Sequence, residues 1–188
     1  AGVFTTNVFK AAPVLLDMER IKSGSARAVI VNSGNANAAT GEEGYQDAVK
    51  MARFCAGALS IDEAQVLVAS TGVIGRRLPI DKVAGSVSRL VKGLSPAGIP
   101  EAAEAIMTTD RYPKIQYREG AVGGSDVCIC GIAKGAGMIE PGMATLLSFI
   151  LTDADIEDAA LKRALREAVD RSFNAISVDG CMSTNDTV

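Results

Sequence analysis

From Lys134 to Phe149 the chain runs Lys134-Gly-Ala-Gly-Met-Ile-Glu-Pro-Gly-Met-Ala-Thr145-Leu-Leu-Ser-Phe149. Three glycines and a proline make a continuous helix through this stretch costly. The run after Thr145 is apolar and strand-like. Any fold of this chain must therefore lead a Gly-rich turn directly into a strand that opens on a hydroxyl residue. That order suits a polypeptide that cuts itself before Thr145. A threonine freed at its own N-terminus carries nucleophile and base together, because its hydroxyl attacks while its α-amine accepts the proton. An α-amine titrates near ~7.7–8.0, so it can serve as a base without histidine. The chain contains no histidine.

The 188 residues suffice for one sizeable domain or one and a half small ones. Apolar residues make up 48% and charged residues 22%, an ordinary globular balance. A net charge of −3 gives no electrostatic case for nucleic acid or an anionic membrane. No apolar run approaches the ~18 residues of a spanning helix. The N-terminus shows no basic segment followed by an apolar core, so no secretory signal is visible. With its cysteines expected as free thiols, the chain has the cytoplasm as its default compartment. Cys128 and Cys130 flank Ile129, too close for a comfortable disulfide and without a partner pair for zinc. Together with Cys55 and Cys181 they are expected to be buried free thiols, with no metal site.

The periodicity predicts an alternation of strands and helices. Strands are expected over residues 26–31, 65–69, 127–133 and 145–151. Helices are expected over 45–59, 81–91 and 155–171, with a short helix or a turn over 101–107. The last of these carries Ile156, Ala159, Leu161, Ala164, Leu165 and Val169 on one face. Residues 94–100 read as a loop. No strict strand–helix–strand repeat, low-complexity tract or linker stands out.

Several hydroxyl, amide and cationic residues lie in turn-like surroundings. The second strand empties into Ser70-Thr-Gly72, where a hydroxyl and a backbone N–H can point the same way, as in an oxyanion hole. The same three residues also suit a plain turn. Lys134 stands among glycines, eleven residues before Thr145. Thr108 and Thr109 precede Asp110 in an arrangement that equally suits a hydroxyl-braced turn. The Asn32–Asn37 cluster either lines a site or braces its own turn. The segment 131–137 lacks the order of a phosphate-binding loop.

Six segments, taken together and in order, resemble the ornithine acetyltransferase family, the bifunctional glutamate N-acetyltransferases of arginine biosynthesis. They are Gly2-Val-Phe-Thr-Thr-Asn7, Asn32-Ser-Gly-Asn-Ala-Asn-Ala38, Ser70-Thr-Gly-Val-Ile-Gly75, Met107-Thr-Thr-Asp110, the Lys134–Phe149 stretch, and Ser177-Val-Asp-Gly180 with Ser183-Thr-Asn-Asp-Thr-Val188. The resemblance implies an α/β fold of layered sheets and helices, like that of N-terminal-nucleophile hydrolases but with different connectivity (ArgJ/DmpA-like). It implies self-cleavage between Ala144 and Thr145. Residues 1–144 would then be α-subunit-like and 145–188 the start of a β-subunit, within one continuous domain. It assigns Thr145 as nucleophile, Thr71 and Gly72 as the oxyanion pair, and Thr108, Lys134 and Thr145 as substrate contacts. The implied reaction moves an acetyl group from N-acetylornithine to L-glutamate through acetyl-threonine, in an assembly of two α and two β subunits. No bound cofactor or metal is implied, although some relatives use acetyl-CoA as a donor substrate. A self-processed amidase or aminopeptidase and a non-catalytic binding or assembly module are the competing readings. Two departures stand out. The chain stops at Val188 inside a family motif, so it resembles most of the first half of such a protein. Cys181-Met182 also replaces the Asp-Thr expected between Gly180 and Ser183.

Overall fold

A computed structural model describes residues 1–139 and 146–188. Residues 140–145 lie outside the described residues, and with them the expected cleavage site Ala144–Thr145 and the start of the strand expected from Thr145.

One layer is built on a parallel strand pair. β1 (Ala28–Asn35) leads into α2 (Gly41–Leu59), which returns the chain to β2 (Val66–Val73) beside β1. The register runs from Ala28 against Val66 to Gly34 against Gly72. Parallel strands need a long crossover, and α2 supplies it. Ala48, Ala52 and Ala56 line the buried face of α2, and their small side chains let the helix lie close to its neighbours. Ser60 ends α2 in a left-handed conformation, its N–H returning to Ala56 and Gly57 carbonyls. Ile30, Met51, Cys55, Val66, Val68, Leu78 and Val87 complete the main core. The helix α1 (Ala12–Arg20) packs against β2 and α2, with Pro13 in its first turn. α1 escaped the sequence reading. Val87 is the buried residue of α3 (Ile80–Lys92).

The second layer is antiparallel, in the order β3 (Lys114–Val122), β4 (Ser125–Lys134), β5 (Leu147–Thr152). β3 was not expected, because Lys114-Ile-Gln-Tyr-Arg-Glu-Gly-Ala-Val122 mixes charge and glycine and lies mostly exposed. Its signal was the pair Gly123-Gly124, both at positive φ (60° and 85°), which closes the two-residue hairpin into β4. The helix α4 (Ile99–Ala105) begins inside the expected loop, since Pro100 sits comfortably in a first turn. Ala103 and Ile106 pack on Ile132, with Ile115 and Phe149 beside them. The C-terminal helix α5 (Asp158–Asp170) starts at the Glu157 side chain, which accepts the Ala159 and Ala160 N–H groups at 3.0 and 2.9 Å. Its apolar face is patterned as expected, yet only Val169 is buried.

The chain's last residues stitch the layers together. Val3 and Val188 exchange N–H···O bonds at 2.9 Å, and the Thr5 N–H donates to the Asp186 carbonyl at 3.0 Å. Ser148 N–H donates to Thr187 and Thr187 N–H to Leu146. The Asn185 amide donates to the Ala36 and Ser70 carbonyls at 2.6 and 2.8 Å, so one side chain caps the ends of both parallel strands. The four cysteines are free thiols, but only Cys55 is buried; Cys128 and Cys130 are partly exposed and Cys181 is exposed. Among the described residues no helix is long and apolar enough to cross a membrane. Among them, too, no cluster of three acids or thiols is placed to hold a metal ion.

Asp17, on α1, is 3% exposed, and both its oxygens accept from the Val68 N–H, at 2.9 and 3.1 Å. Burial pushes its carboxyl up to about 7, against the pull of that N–H and of Arg20. An unfolded Asp titrates near ~3.9. Between about pH 4 and pH 7 the folded chain therefore holds a proton that the unfolded chain has lost, and stability falls as pH rises through that window. Asp17→Asn should flatten this slope in denaturant-unfolding midpoints. Parallel slopes in parent and variant would refute the assignment.

Candidate active site

The parallel pair ends where the site begins. Thr71 is buried at 6% exposure near the end of β2, and Gly72 follows at φ 134°. A Cβ on Gly72 would fall 2.2 Å from the Gly34 carbonyl carbon and 2.5 Å from the Asn35 nitrogen. Only glycine permits that approach of β1 to β2. The Asn-rich turn is braced by its own amide side chains, and Asn32–Asn35 also line a cavity of about 580 Å³. Asn32 Oδ1 accepts from Ser70 Oγ at 2.6 Å, Asn35 Nδ2 donates to the Arg76 and Arg77 carbonyls, and buried Asn37 donates to Gly44 at 2.8 Å.

Lys134 closes β4 and points its ammonium at that strand end. Its Nζ donates to Thr71 Oγ1 at 2.9 Å and to Thr108 Oγ1 at 2.8 Å, with the residue only 4% exposed. Three residues separated by 63 and 26 positions thus meet at one cation. An ammonium can only donate, so both hydroxyl oxygens act as acceptors and keep their own O–H groups for another partner. A hydroxyl polarised by a cation is a stronger donor. Burial lowers the Lys134 pKa below the usual lysine value. Asp110 and Asp186 act to raise it, and Lys114 adds a downward push.

Asp110 supplies the nearest support. Its Oδ1 accepts from Lys114 Nζ at 2.5 Å and from the Gly135 N–H at 2.7 Å, while the Thr108 N–H approaches Oδ2 at 3.4 Å. Burial pushes this carboxyl upward. The Lys114 hydrogen bond, the Gly135 amide, the Lys114 charge and the Thr108 amide together outweigh that and hold it below the usual carboxylate range. The turn that carries Thr108 is thereby fixed to the loop after Lys134. A cavity of about 460 Å³ opens beside it, lined by Thr109, Arg111, Tyr112, Lys114 and the Gly135–Gly137 backbone.

Asp179 anchors the Gly-rich stretch further along, accepting from the Met138 and Ile139 N–H groups at 2.6 and 2.9 Å. Those amides hold its carboxyl below the ordinary range. In the Cys181-Met182 pair the groups that reach Asn7 and Asp179 are the Met182 carbonyl and the Cys181 amide. The Met182 sulfur meets the Thr6 hydroxyl at 3.7 Å. Of the sequence-derived candidates, Thr71, Gly72, Thr108 and Lys134 are thus gathered in one place, while Ala144 and Thr145 lie outside the described residues. Asp110, Lys114 and Asp179 went unassigned in the sequence. Asp110 and Asp179 sit inside two of the six family-like segments, and that was the signal available.

The ArgJ family model matches residues 1–188, the whole chain. This chain belongs to the ArgJ family. Arginine biosynthesis bifunctional protein ArgJ of Geobacter sulfurreducens is 56% identical over 187 residues, covering 100% of this chain and 48% of that protein. The protein of the same description from Thermotoga neapolitana is 53% identical over 190 residues, with 100% and 48% covered. The chain thus spans about half the length of the curated relatives it matches. Among solved structures, ornithine acetyltransferase complexed with ornithine from Mycobacterium tuberculosis superposes with a TM-score of 0.67 at 41% identity, over 78% of this chain and 77% of that one. Arginine biosynthesis bifunctional protein ArgJ from Bacillus halodurans gives 0.69 at 38% identity, over 78% and 75%. The ArgJ fold, layered α/β and like that of the N-terminal-nucleophile hydrolases, is the fold of this chain.

Gly72→Ala tests the close approach on which the site stands. The added methyl group meets backbone on a residue held at positive φ, so it should cost ~3 kcal/mol or more in denaturant unfolding. A loss under about 1 kcal/mol, the ordinary cost of a surface change, would mean the two strand ends are free to part.

Proposed function

We propose that this chain supplies the nucleophile-bearing part of an N-acyltransferase of arginine biosynthesis that moves acetyl from N-acetylornithine to L-glutamate. The observation that carries the reading is the buried Lys134 ammonium holding the Thr71 and Thr108 hydroxyls together in a member of the ArgJ family. A structural neighbour solved with ornithine supports the substrate class.

The proposed sequence begins with self-cleavage. Thr145 Oγ attacks the Ala144 carbonyl, an N→O shift gives an ester, and water hydrolyses it to leave Thr145 as a chain end. Residues 1–144 then form the α part and Thr145 begins the β part. In turnover Thr145 Oγ attacks the acetyl carbonyl of N-acetylornithine while its own α-amine accepts the hydroxyl proton. The oxyanion that forms is met by the Thr71 O–H and the Gly72 N–H. Because Thr71 Oγ1 already accepts from Lys134, its O–H is polarised toward that developing charge. Collapse expels ornithine as an amine and leaves acetyl on Thr145. The glutamate amine attacks this ester next, through a second oxyanion in the same place, and leaves as N-acetylglutamate. Lys134 and Thr108 are assigned to substrate binding, with the ammonium attracting a substrate carboxylate.

No bound cofactor or metal enters this proposal. Acetyl-CoA would enter, where used, as an alternative donor substrate. Two α and two β parts are the proposed assembly, and the cytoplasm the proposed compartment.

Two measurements on the intact protein test the reading. Chain-end sequencing should find a new end reading Thr-Leu-Leu-Ser-Phe, absent in Thr145→Ala, and acetyl should pass from N-acetylornithine to glutamate. Thr71→Val should lower kcat by ~10²-fold or more, the typical loss for one oxyanion donor. Release of acetate to water without transfer would mark a hydrolase. An uncut, inactive protein would leave only a binding or assembly role.

A further inference from the structure

Asp186 is a fully buried acid at the edge of this site, and the reaction scheme above does not use it. It is 1% exposed. Oδ1 accepts from the Leu146 N–H at 3.0 Å. Oδ2 is shut away from solvent and, among the described residues, has no hydrogen-bond partner. The Thr5 and Ser183 hydroxyls lie near enough to pull on the carboxyl's titration, yet neither closes a well-formed bond on Oδ2. The Thr5 hydroxyl donates instead to the Ser183 carbonyl at 2.8 Å. A buried, unpaired carboxyl oxygen is unfavourable and calls for a reason.

Its placement is not incidental. The Asp186 carbonyl accepts from Thr5 N–H at 3.0 Å, and the neighbouring Asn185 side chain is bonded to both Ala36 and Ser70. The backbone on either side is therefore held, and the carboxyl is delivered to one spot. There it meets two components of the site. One is the amide of Leu146, which follows Thr145 in the chain. The other is the charge of Lys134, which acts on the Asp186 carboxyl and is acted on in return.

We propose that Asp186, a buried carboxyl with one unpaired oxygen, is a positioning residue for the chemistry at Thr145, its Oδ1 holding the amide of Leu146, the next residue in the chain. The inference rests on the acetyl-transfer reading. Burial pushes the carboxyl up to about 8, opposed by the Leu146 amide, the Ser183 and Thr5 hydroxyls and Lys134. Near neutral pH it is therefore mostly protonated, and Lys134 is balanced mainly by Asp110, with Lys114 opposing. As pH rises through about 8 the carboxyl ionises and strengthens the hold on the ammonium.

The test compares the intact parent protein with Asp186→Asn and Asp186→Ala. Each is checked for chain ends, for KM and kcat of acetyl transfer across pH, and for folding by circular dichroism. Alanine should lower kcat by ~10²-fold with little change in KM, as misplacement of reacting groups does. Asparagine keeps an acceptor for the Leu146 N–H and should recover most of that loss. It should also reduce the ionisations near pH 8 from two to one, because the Thr145 α-amine titrates at ~7.7–8.0 and remains; a purely structural side chain would leave both in place. Should the alanine variant fail to fold, the asparagine profile alone decides, since it must show one ionisation near pH 8 where the parent shows two. An active parent with both variants matching it in kcat and pH profile overturns the role of Asp186 and leaves the acetyl-transfer reading standing. A parent that neither cleaves nor transfers acetyl overturns both.

Discussion

A single buried ammonium joins the two halves of this structure. Lys134 ends the central strand of the antiparallel sheet, and Thr71 lies at the end of the parallel pair. Taking a lysine out of water costs several kcal/mol unless its donors find partners. Here two of them find the Thr71 and Thr108 hydroxyls. The same bonds leave those hydroxyls as activated donors. Stability and chemistry thus draw on one interaction.

Around that cation the chain spends its polar side chains on fixing backbone. Asp110 holds the loop after Lys134 through the Gly135 amide, Asp179 holds it further along through Met138 and Ile139, and Asn185 ties Ala36, just after β1, to Ser70 in β2. Asp186 adds the Leu146 amide at the mouth of β5. In each case a short acidic or amide side chain meets a backbone polar group that would otherwise lack a partner in an irregular segment. Glycine-rich loops carry little packing of their own, so such ties supply the rigidity that placed hydroxyls require.

Much of the architecture was legible in the sequence. β-branched runs marked β1, β2 and β4, three-to-four-residue spacing marked α2 and α5, and Asp81 after Pro79 marked the start of α3. β3 was hidden because a half-exposed edge strand need not alternate. Its clearest signal lay in the Gly123-Gly124 turn rather than in its own residues. α1 was hidden by Pro13, a residue that breaks helices everywhere except in their first turn. α5 shows the converse: its apolar stripe was read correctly, but a stripe predicts a face, not what covers it. The meeting of Thr71, Thr108 and Lys134 depends on long-range packing that no local pattern encodes. Resemblance to a family pointed to those three residues, and coordinates were needed to show the cation between them.

The central claim is that acetyl passes through Thr145 beside this cation-held pair of hydroxyls. The most direct measurement is a peptide mass spectrum of the intact protein quenched by acid during turnover with N-acetylornithine and no glutamate. The account predicts one acetyl group on the peptide beginning Thr145-Leu-Leu-Ser-Phe149, discharged when glutamate is added before the quench. An unmodified Thr145 peptide from a protein that is demonstrably turning over, or an acetyl group that glutamate does not remove, would contradict it.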